Sequence, residues 1–292
     1  MNTCVASEQT ITHSAAASSL RAHLNPLTML RRLWAQRNLT WQMAKRDIQA
    51  RFRGTWLGLL WSGLEPLLLL TIYTFVFAIV FRLQWRPGVE ETRGEFALTM
   101  FCGMLLFNLF SEAVSRAPQL VVANPNYVKK VVFPVETLVI SALVAAVFKM
   151  FVGYAVWLAG WVIIKGAWPN WTLVYFPLMV FPVLLTTLGV SWILASLGVF
   201  IRDIGYAIGL MLQMLFFLTP VFYRMEAVPY PYRHAMELSP LAHAIEDVRT
   251  VMMWGGQPRW GVWAATVLAS ALVALVGYAF FMKSKRAFAD VL

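Results

Sequence analysis

Three arginines with the chemistry to bind an anion lie just before the first long apolar segment of this sequence. They are Arg46, Arg51 and Arg53, in the stretch RDIQARFRGTWLGLLWSGLEP that starts at Arg46. A guanidinium group presents a planar set of donors that matches a phosphate or a carboxylate in a bidentate pair. Two functions fit this position: contact with an anionic substrate, or neutralisation of anionic lipid headgroups, worth about 1 kcal/mol per residue at the surface.

Residues suited to catalysis or metal binding are scarce. His243 and Glu246 are one helical turn apart, which would permit a metal site, but no third ligand follows at a suitable spacing. Asp203 beside Arg202 fits half of an ion pair in a loop better than a general base. The sequence contains no nucleophile elbow, zinc-protease motif or paired-carboxylate array. We therefore predict no catalytic residue and no metal site.

The sequence also lacks a Gly-x-x-x-x-Gly-Lys-Ser/Thr loop, the motif whose backbone amides cradle ATP phosphates. We predict no cofactor in this chain, so that any ATP-driven process would place ATP and Mg²⁺ on a separate polypeptide. The two cysteines, Cys4 and Cys102, are far apart and lie in unlike contexts. They indicate no disulfide framework.

Two ionisable residues lie inside apolar segments, where a charge is costly. Lys149 is about a dozen residues into the third such segment, and Glu65 is about eight residues into the first. An ion-coupled carrier would use groups of this kind. The alternative is that each pairs with a neighbouring helix or extends to the headgroup region. Pro66, which follows Glu65, predicts a kink in the first segment.

Six aromatic residues form a further candidate set near two of the apolar segments. They are Tyr73, Phe77, Phe216, Phe217, Phe222 and Tyr223. Sugar rings present flat C–H faces that stack on aromatic rings without requiring fixed charges. Such side chains inside a pore would let a long glycan slide, whereas packing against lipid or protein is the alternative interpretation.

The composition indicates that these residues are positioned by membrane-spanning elements. Of the 292 residues, 60% are hydrophobic and only 13% are charged, with a mean hydropathy of +0.65. A soluble domain is about half apolar and about a quarter charged. The predicted fold class is therefore an all-α polytopic membrane protein. The net charge of +10 fits basic cytoplasmic segments on membrane lipids, and no nucleic-acid partner is predicted.

Six transmembrane helices are predicted, because about twenty apolar residues are needed to cross about 30 Å of hydrocarbon. They lie near residues 57–81, 96–114, 138–164, 173–200, 204–222 and 260–282, within a transmembrane domain at 57–282. With both termini cytoplasmic, fifteen lysines and arginines fall on the cytoplasmic side and eight on the other. This bias predicts a multi-pass protein with both termini in the cytoplasm.

The segments that flank the spans have their own predicted structures. Residues 1–25, rich in Ala, Ser and Thr, are predicted to be a flexible cytoplasmic tail instead of a cleaved signal. Residues 283–292 are predicted to be a second cytoplasmic tail. Residues 26–56 are predicted to hold an amphipathic interface helix in the headgroup region. Its apolar stripe consists of Trp41, Ala44, Ile48, Phe52 and Trp56.

Residues 224–258 are predicted to form a short re-entrant helical pair between the fifth and sixth spans. From Leu241 onward apolar residues recur every three or four positions, between a start at Ser239-Pro240 and an end at Gly255-Gly256. The opposite face is predicted to be polar and to carry His243, Glu246, Asp247 and Thr250. A simple exterior loop is the alternative, although unstructured loops of this length are uncommon.

The sequence resembles the permeases of type-2 ABC exporters for O-antigen, capsular polysaccharide and teichoic acid. The resemblance rests on the stretch at Arg46, on NPNYVKKVVFPVETL from Asn124 and on RDIGYAIGLMLQMLFFLTPVFY from Arg202. The ending FMKSKRAFADVL from Phe281 is also similar to that of O-antigen permeases. One departure is Ser239-Pro240, where many relatives have Asn-Pro.

The resemblance implies a homodimer of six-span subunits in the bacterial cytoplasmic (inner) membrane, paired with two cytoplasmic ATP-binding subunits. A channel at the dimer axis, lined largely by the first and fifth spans, would carry a lipid-linked polysaccharide outward. A pyrophosphate at headgroup depth would then meet the three arginines, and the turn at Leu57-Gly58 would lie near the lateral gate.

The resemblance also implies where the ATPase would dock. Residues 124–136 are similar to a coupling helix, and the turn at Arg202 and Asp203 would be a second cytoplasmic contact. The coupling residues it implies are Tyr127, Lys129, Lys130 and Phe133.

Three other functions remain open from the sequence. An exporter of this architecture would also suit a drug or another amphipathic substrate. An ion-coupled carrier and a membrane enzyme that acts on lipid-linked sugars are alternatives from other classes.

Overall fold

The structure, a computed structural model, describes residues 26–52, 60–86, 88, 91–129 and 133–291. Within these ranges the regular elements are all helices, and no strand occurs. The all-α class predicted from composition is therefore confirmed.

Two helices precede the first span, where one interface helix region was predicted. Helix α1 covers Pro26–Ala35 and α2 covers Arg37–Phe52, with Gln36 in a turn between them. Ala44 is fully buried and faces the bundle, whereas Trp41 is exposed. A helix with a small residue buried against the bundle and a tryptophan exposed on another side suits the headgroup region.

Five helical segments among the described residues are long and apolar enough to span a membrane. They are Gly63–Val80, Arg93–Val122, Glu136–Lys165, Trp171–Phe200 and Trp260–Phe288. The corresponding helices are α3 (Leu60–Thr74, continued by a π-helical turn Phe75–Val80), α4 (Arg93–Val122), α6 (Glu136–Lys165), α7 (Phe176–Phe200) and α11 (Trp260–Val291).

Helix α4 begins three residues before the predicted 96–114 span and continues eight residues past its end. It begins at a capping box, in which the Thr92 hydroxyl accepts from the Glu95 amide and the Glu95 carboxylate accepts from the Thr92 amide. At its other end it continues past Glu112 and Arg116, the charges at which the hydropathy pattern stops. Both charges are paired with other helices, so the helix does not end there.

The predicted fifth span, 204–222, contains a shorter helix. Helix α8 covers Ile204–Leu218 and follows α7 after a three-residue turn. Fifteen residues rise roughly 22 Å, less than the hydrocarbon thickness of about 30 Å. The chain turns at Thr219, just before Pro220, and this turn shortens the helix.

Two helices occupy the segment between α8 and α11. Helix α9 covers Tyr232–Glu237 and α10 covers Pro240–Met253. Helix α10 begins with Ser239 at its N-cap and ends before Gly255, whose φ of 63° suits glycine. Glu246 and Asp247 lie on the face of α10 that was predicted to be polar. Both are buried, because other segments cover α10 on that side as well.

The bundle is built around α4, which is the most buried candidate span. Helix α7 packs closely on α4 and on α11 at positions where glycine removes the side chain. A Cβ on Gly198 would overlap the backbone of Pro118, and one on Gly189 would overlap the backbone of Val273. The last helix, α11, continues through the predicted tail as far as Val291.

Candidate functional site

The aromatic residues predicted from the sequence come together where α3 meets the end of α8. Phe222 is the centre: its ring centroid lies 5.0 Å from Tyr73, 4.7 Å from Phe77 and 4.8 Å from Phe216. Phe217 joins at 5.6 Å. We call these five residues the aromatic cluster; contact distances of this kind are typical of favourable ring pairs.

Two further aromatic residues attach to this cluster. Phe107 on α4 lies 4.8 Å from Phe216; its mostly apolar surroundings in the sequence did not single it out. The Tyr223 hydroxyl donates to the carbonyl oxygen of Phe217 at 2.9 Å. The π-helical turn Phe75–Val80 positions Phe77, and such turns are frequent at functional sites.

The two helices that carry the aromatic cluster are little covered by the rest of the chain. Leu212 is the one buried residue of α8, and 11% of the Gly63–Val80 segment is buried. Phe222 is 3% exposed and Phe217 is 58% exposed. The cluster is therefore packed at its centre and open at its rim, on an apolar face that lipid or a second protein would cover.

Arg46, predicted to meet a substrate phosphate, contacts the segment predicted to dock the ATPase. Its Nη1 donates to the Tyr127 hydroxyl at 3.0 Å, and Tyr127 stacks on Phe133 with ring centroids 4.4 Å apart. Arg46 remains exposed, so its other donors are available to a ligand. The side chain of Arg51 and residues Arg53, Leu57 and Gly58 lie outside the described part of the chain.

The short helix α5, Pro125–Lys129, holds the predicted coupling residues. Tyr127 and Phe133 are in contact, whereas the Lys129 side chain and Lys130 lie outside the described residues. Arg202 and Asp203 are exposed in the turn between α7 and α8. Among the described residues, no hydrogen bond or ion pair joins these two to α5.

An ion pair fastens the interface helix α2 to the bundle. Arg116 on α4 donates from Nη1 and Nη2 to the two carboxylate oxygens of Asp47, both at 2.7 Å. The Thr137 hydroxyl at the start of α6 lies 3.9 Å from the Met43 sulfur. Bidentate guanidinium–carboxylate pairs fix orientation as well as distance, so α2 is held in one register against α4.

Replacing Arg116 with glutamate is expected to release α2, because it sets two carboxylates against each other at a half-buried site. The loss is about 2 kcal/mol of local stability. The rate of cleavage between residues 36 and 59 in limited proteolysis measures this loss of local stability. The charge-swapped double variant Asp47→Arg/Arg116→Asp should restore protection; continued cleavage in that variant would contradict the role of the pair.

Three charged residues meet about halfway along α6, at a partly exposed site. Lys149 Nζ lies 3.0 Å from a carboxylate oxygen of Glu65 and 3.5 Å from one of Glu112. The three residues come from α6, α3 and α4. A small cavity beside them is lined by Pro66 and Asn108 among others. Lys149 and Glu65 therefore pair with neighbouring helices, which was one of the two alternatives. The Glu65 carboxylate joins α3 to α6 at this point.

A buried charge that the sequence did not single out lies at the end of the bundle away from α2. Arg249 on α10 is fully buried and pairs with Glu246 at 3.1 Å. Burial raises the pKa of Glu246, and the nearby guanidinium opposes that rise. His243 Nε2 lies 2.6 Å from the carbonyl oxygen of Glu237, so the His243 and Glu246 side chains are engaged separately.

Two cavities lie near this buried charge, and Tyr223 lines both of them. One of about 270 Å³ is lined by Leu83, Gln84, Trp85, Phe96, Phe222, Tyr223, Arg224, Glu226 and Ala227. The other, of about 420 Å³, lies between the end of α8 and the helices α9 and α10. The first combines aromatic walls with an ion pair between Arg224 and Glu226 and lies next to the aromatic cluster.

The lengths and hydropathy of the candidate spans place the chain among multi-pass α-helical membrane proteins. Comparison with known proteins gives the family. The sequence model of the ABC-2 type transporter family matches residues 38–253. This match covers more than half of the chain, and the chain belongs to that family.

Several characterised relatives are similar over most of their length. The chain is 30% identical to the O-antigen export system permease protein RfbA of Myxococcus xanthus, over 69% of this chain and 74% of the relative. It is 26% identical to the protein of the same name from Klebsiella pneumoniae, over 86% and 93%. It is 24% identical to the polysialic acid transport protein KpsM of Escherichia coli, over 72% and 79%.

Proposed function

We propose that this chain is the permease subunit of an ABC exporter that moves a lipid-linked polysaccharide, of O-antigen or capsular type, across the bacterial inner membrane. The observation that carries the proposal is the similarity to O-antigen export permeases across as much as 86% of the chain. The aromatic cluster supports it, because stacked rings suit an uncharged or weakly charged glycan chain.

The proposed assembly is a homodimer in which α3 and α8 from each copy line a channel. Both helices carry exposed apolar faces that a second copy would cover. Helix α8 serves as the fifth of six spans. Because it is short, α8 and the turn around Thr219 cross the membrane together. The re-entrant pair is then α9 with α10.

The proposed orientation places both termini and the α2 end of the bundle in the cytoplasm. The distribution of lysines and arginines supports it. The end that contains Arg249 then faces outward, and we call it the outer end. The aromatic cluster and the cavity of about 270 Å³ both lie toward this end.

The proposed entrance for the lipid-pyrophosphate lies on α2 and the turn that follows it. Arg46, Arg51 and Arg53 supply guanidinium groups at headgroup depth, and the Leu57-Gly58 turn forms the lateral gate. Because Arg46 also donates to Tyr127, one side chain belongs to both the entrance and the coupling segment.

The proposed ATPase-docking surface consists of α5 and the residues around it. Tyr127, Lys129, Lys130 and Phe133 form the main contact, and the Arg202-Asp203 turn forms the second. ATP and Mg²⁺ bind to the partner subunit, which supplies all of the hydrolysis. A partner pair of ATP-binding subunits matches the proposed homodimer.

Purification of the tagged chain from its own bacterium is expected to recover a separate ATP-binding subunit. Deletion of the gene for the chain should remove the polymer from the cell surface and leave it inside the cell, because synthesis does not need the exporter. Immunoblotting of surface and cytoplasmic glycan measures this.

The main alternative is export of a drug or another amphipathic molecule through the same architecture. In that case the deletion strain would keep its surface polymer and become sensitive to the toxic molecule. Both proposals would be contradicted if the purified chain transported its substrate with an ion gradient alone and no ATP-binding subunit co-purified with it.

A further inference from the structure

The Arg249 guanidinium is fully enclosed and uses all three of its nitrogen atoms. Nη2 donates to the Val221 carbonyl at 2.6 Å, and Nη1 donates to the Glu246 carboxylate at 3.1 Å and to the Tyr223 carbonyl at 3.4 Å. Nε donates to the Thr99 carbonyl at 3.4 Å. The guanidinium carbon lies 4.2 Å from the Trp85 ring centroid, a cation–π contact.

These partners belong to four different parts of the fold. Val221 and Tyr223 lie in the turn after α8, Trp85 lies in the segment after α3, and Thr99 is on α4. Glu246 is on α10 itself. One side chain therefore joins the outer ends of α3 and α8 to the buried helix α4. We call Arg249 and these partners the arginine clamp.

The surrounding residues are adapted to admit the guanidinium and to hold its partners. Gly103 leaves space for it, since a Cβ there would lie 2.8 Å from Nη2. Trp85 is fixed from three sides: its amide donates to Glu91 at 3.0 Å, its indole N–H to the Phe96 carbonyl at 3.3 Å, and its carbonyl accepts from Arg224 at 3.2 Å.

Stability alone does not account for a buried guanidinium at this position. Removing an ion pair from water is expensive, and well-packed apolar side chains of similar volume often stabilise as much or more. Lysine would keep the charge but has a single nitrogen, so it would not reach three backbone carbonyls and a ring together. The arrangement suits a residue that holds several segments in one geometry.

The clamp lies where α3 and α8 have few other fixed points. Helix α8 has one buried residue. The rings of the aromatic cluster pack on Phe222. The carbonyl groups of its neighbours Val221 and Tyr223 accept hydrogen bonds from Arg249. Trp85, Phe222 and Tyr223 also line the cavity of about 270 Å³. The contacts of Arg249 therefore form part of the walls of that cavity.

We propose that Arg249 is a positioning residue that holds the outer ends of α3 and α8, and the cavity between them, in the shape through which the exported polymer leaves. This inference rests on the proposed function, because it concerns the exit of that same transport path. Without the clamp, each subunit still folds and binds its ATPase, but the exit is no longer held open in one shape.

Two variants separate positioning from stability. Arg249→Lys keeps a charge opposite Glu246, and Arg249→Met/Glu246→Gln removes both charges without leaving one unpaired. In each we expect normal amounts of the assembled complex and normal ATPase activity, with about tenfold less surface polymer per complex, within the range that coupling residues show.

A neighbouring ion pair, between α10 and the segment that follows it, gives the control. Asp247 on α10 pairs with Arg259 at 3.4 Å, outside the set of contacts that forms the clamp. The variant Arg259→Met/Asp247→Asn loses the same two charges and is expected to export at the normal level. A merely structural role would lower export and ATPase activity together, in proportion to the folded complex.

The measurement is the ratio of polymer exported to ATP hydrolysed, in cells and in the purified complex with its ATPase. A normal ratio in both Arg249 variants overturns the proposal, as does an equal fall in the control pair. Failure of the proposed function shows differently, because the unmodified complex would then export no polysaccharide.

Discussion

Lys149→Met is expected to reduce the amount of folded protein severely. Lys149 lies near the middle of α6 and supplies the ammonium group shared by Glu65 and Glu112. Without it, two carboxylates face each other at membrane depth, and one such charge costs about 3 kcal/mol by insertion measurements. That corresponds to about a hundredfold change in the folding equilibrium. Detergent-solubilised monodisperse protein per cell measures the effect.

The triple variant Lys149→Met/Glu65→Gln/Glu112→Gln should recover most of the folded protein, because no unbalanced charge remains. Lys165 is the matched control: it is on the same helix, pairs with Glu95 and lies at the helix end. Lys165→Met should leave the yield within about twofold, as expected for a pair of modest worth near the surface. Equal losses at the two lysines would show that membrane depth is not the cause.

Gly198→Leu is expected to prevent α7 from packing on α4. A Cβ at Gly198 would overlap the backbone of Pro118, and backbone cannot move aside as a flexible side chain can. Forcing the helices apart costs about 3 kcal/mol or more. Thermal unfolding of the purified protein, followed by loss of monodispersity, measures it.

Gly261→Leu provides the comparison for that variant. Gly261 is also helical, but nothing lies within 4 Å of a Cβ placed there. The same substitution should therefore change the unfolding temperature little. A loss at Gly261 as large as that at Gly198 would mean that the close helix approach is not what makes glycine necessary.

The sequence predicted the helical class correctly for one physical reason, and the proposed role of the aromatic residues stays a prediction. Hydropathy and helical periodicity are local properties, and the rings of Tyr73, Phe77 and Phe216 lie on apolar helices whose course they do not alter. The boundary of α4 was predicted poorly, because Glu112 and Arg116 resemble the end of a span. Their partners, Lys149 and Asp47, are more than thirty positions away in the chain and could not be read from local sequence.

The buried face of α10 shows the same limit. The spacing of Glu246 and Arg249 was visible, and three positions apart they would form a pair on any helix. Their burial depends on Trp85 and on the turn at Val221, which come from distant segments. Arg46 was assigned to the entrance from its chemistry, its position and the family resemblance. Its contact with Tyr127 appears only once α2 and α5 are placed side by side.

Helix α4 carries a contact toward each end, one to the proposed exit and one to the proposed entrance. Thr99 accepts from Arg249, and Arg116 binds Asp47 on the interface helix. Seventeen positions separate them, roughly 25 Å along a helix whose rise is fixed by its hydrogen bonds. The number of residues between these two contacts therefore sets the distance between the proposed entrance and the proposed exit. One residue added between these positions would turn the two ends by about 100° relative to each other.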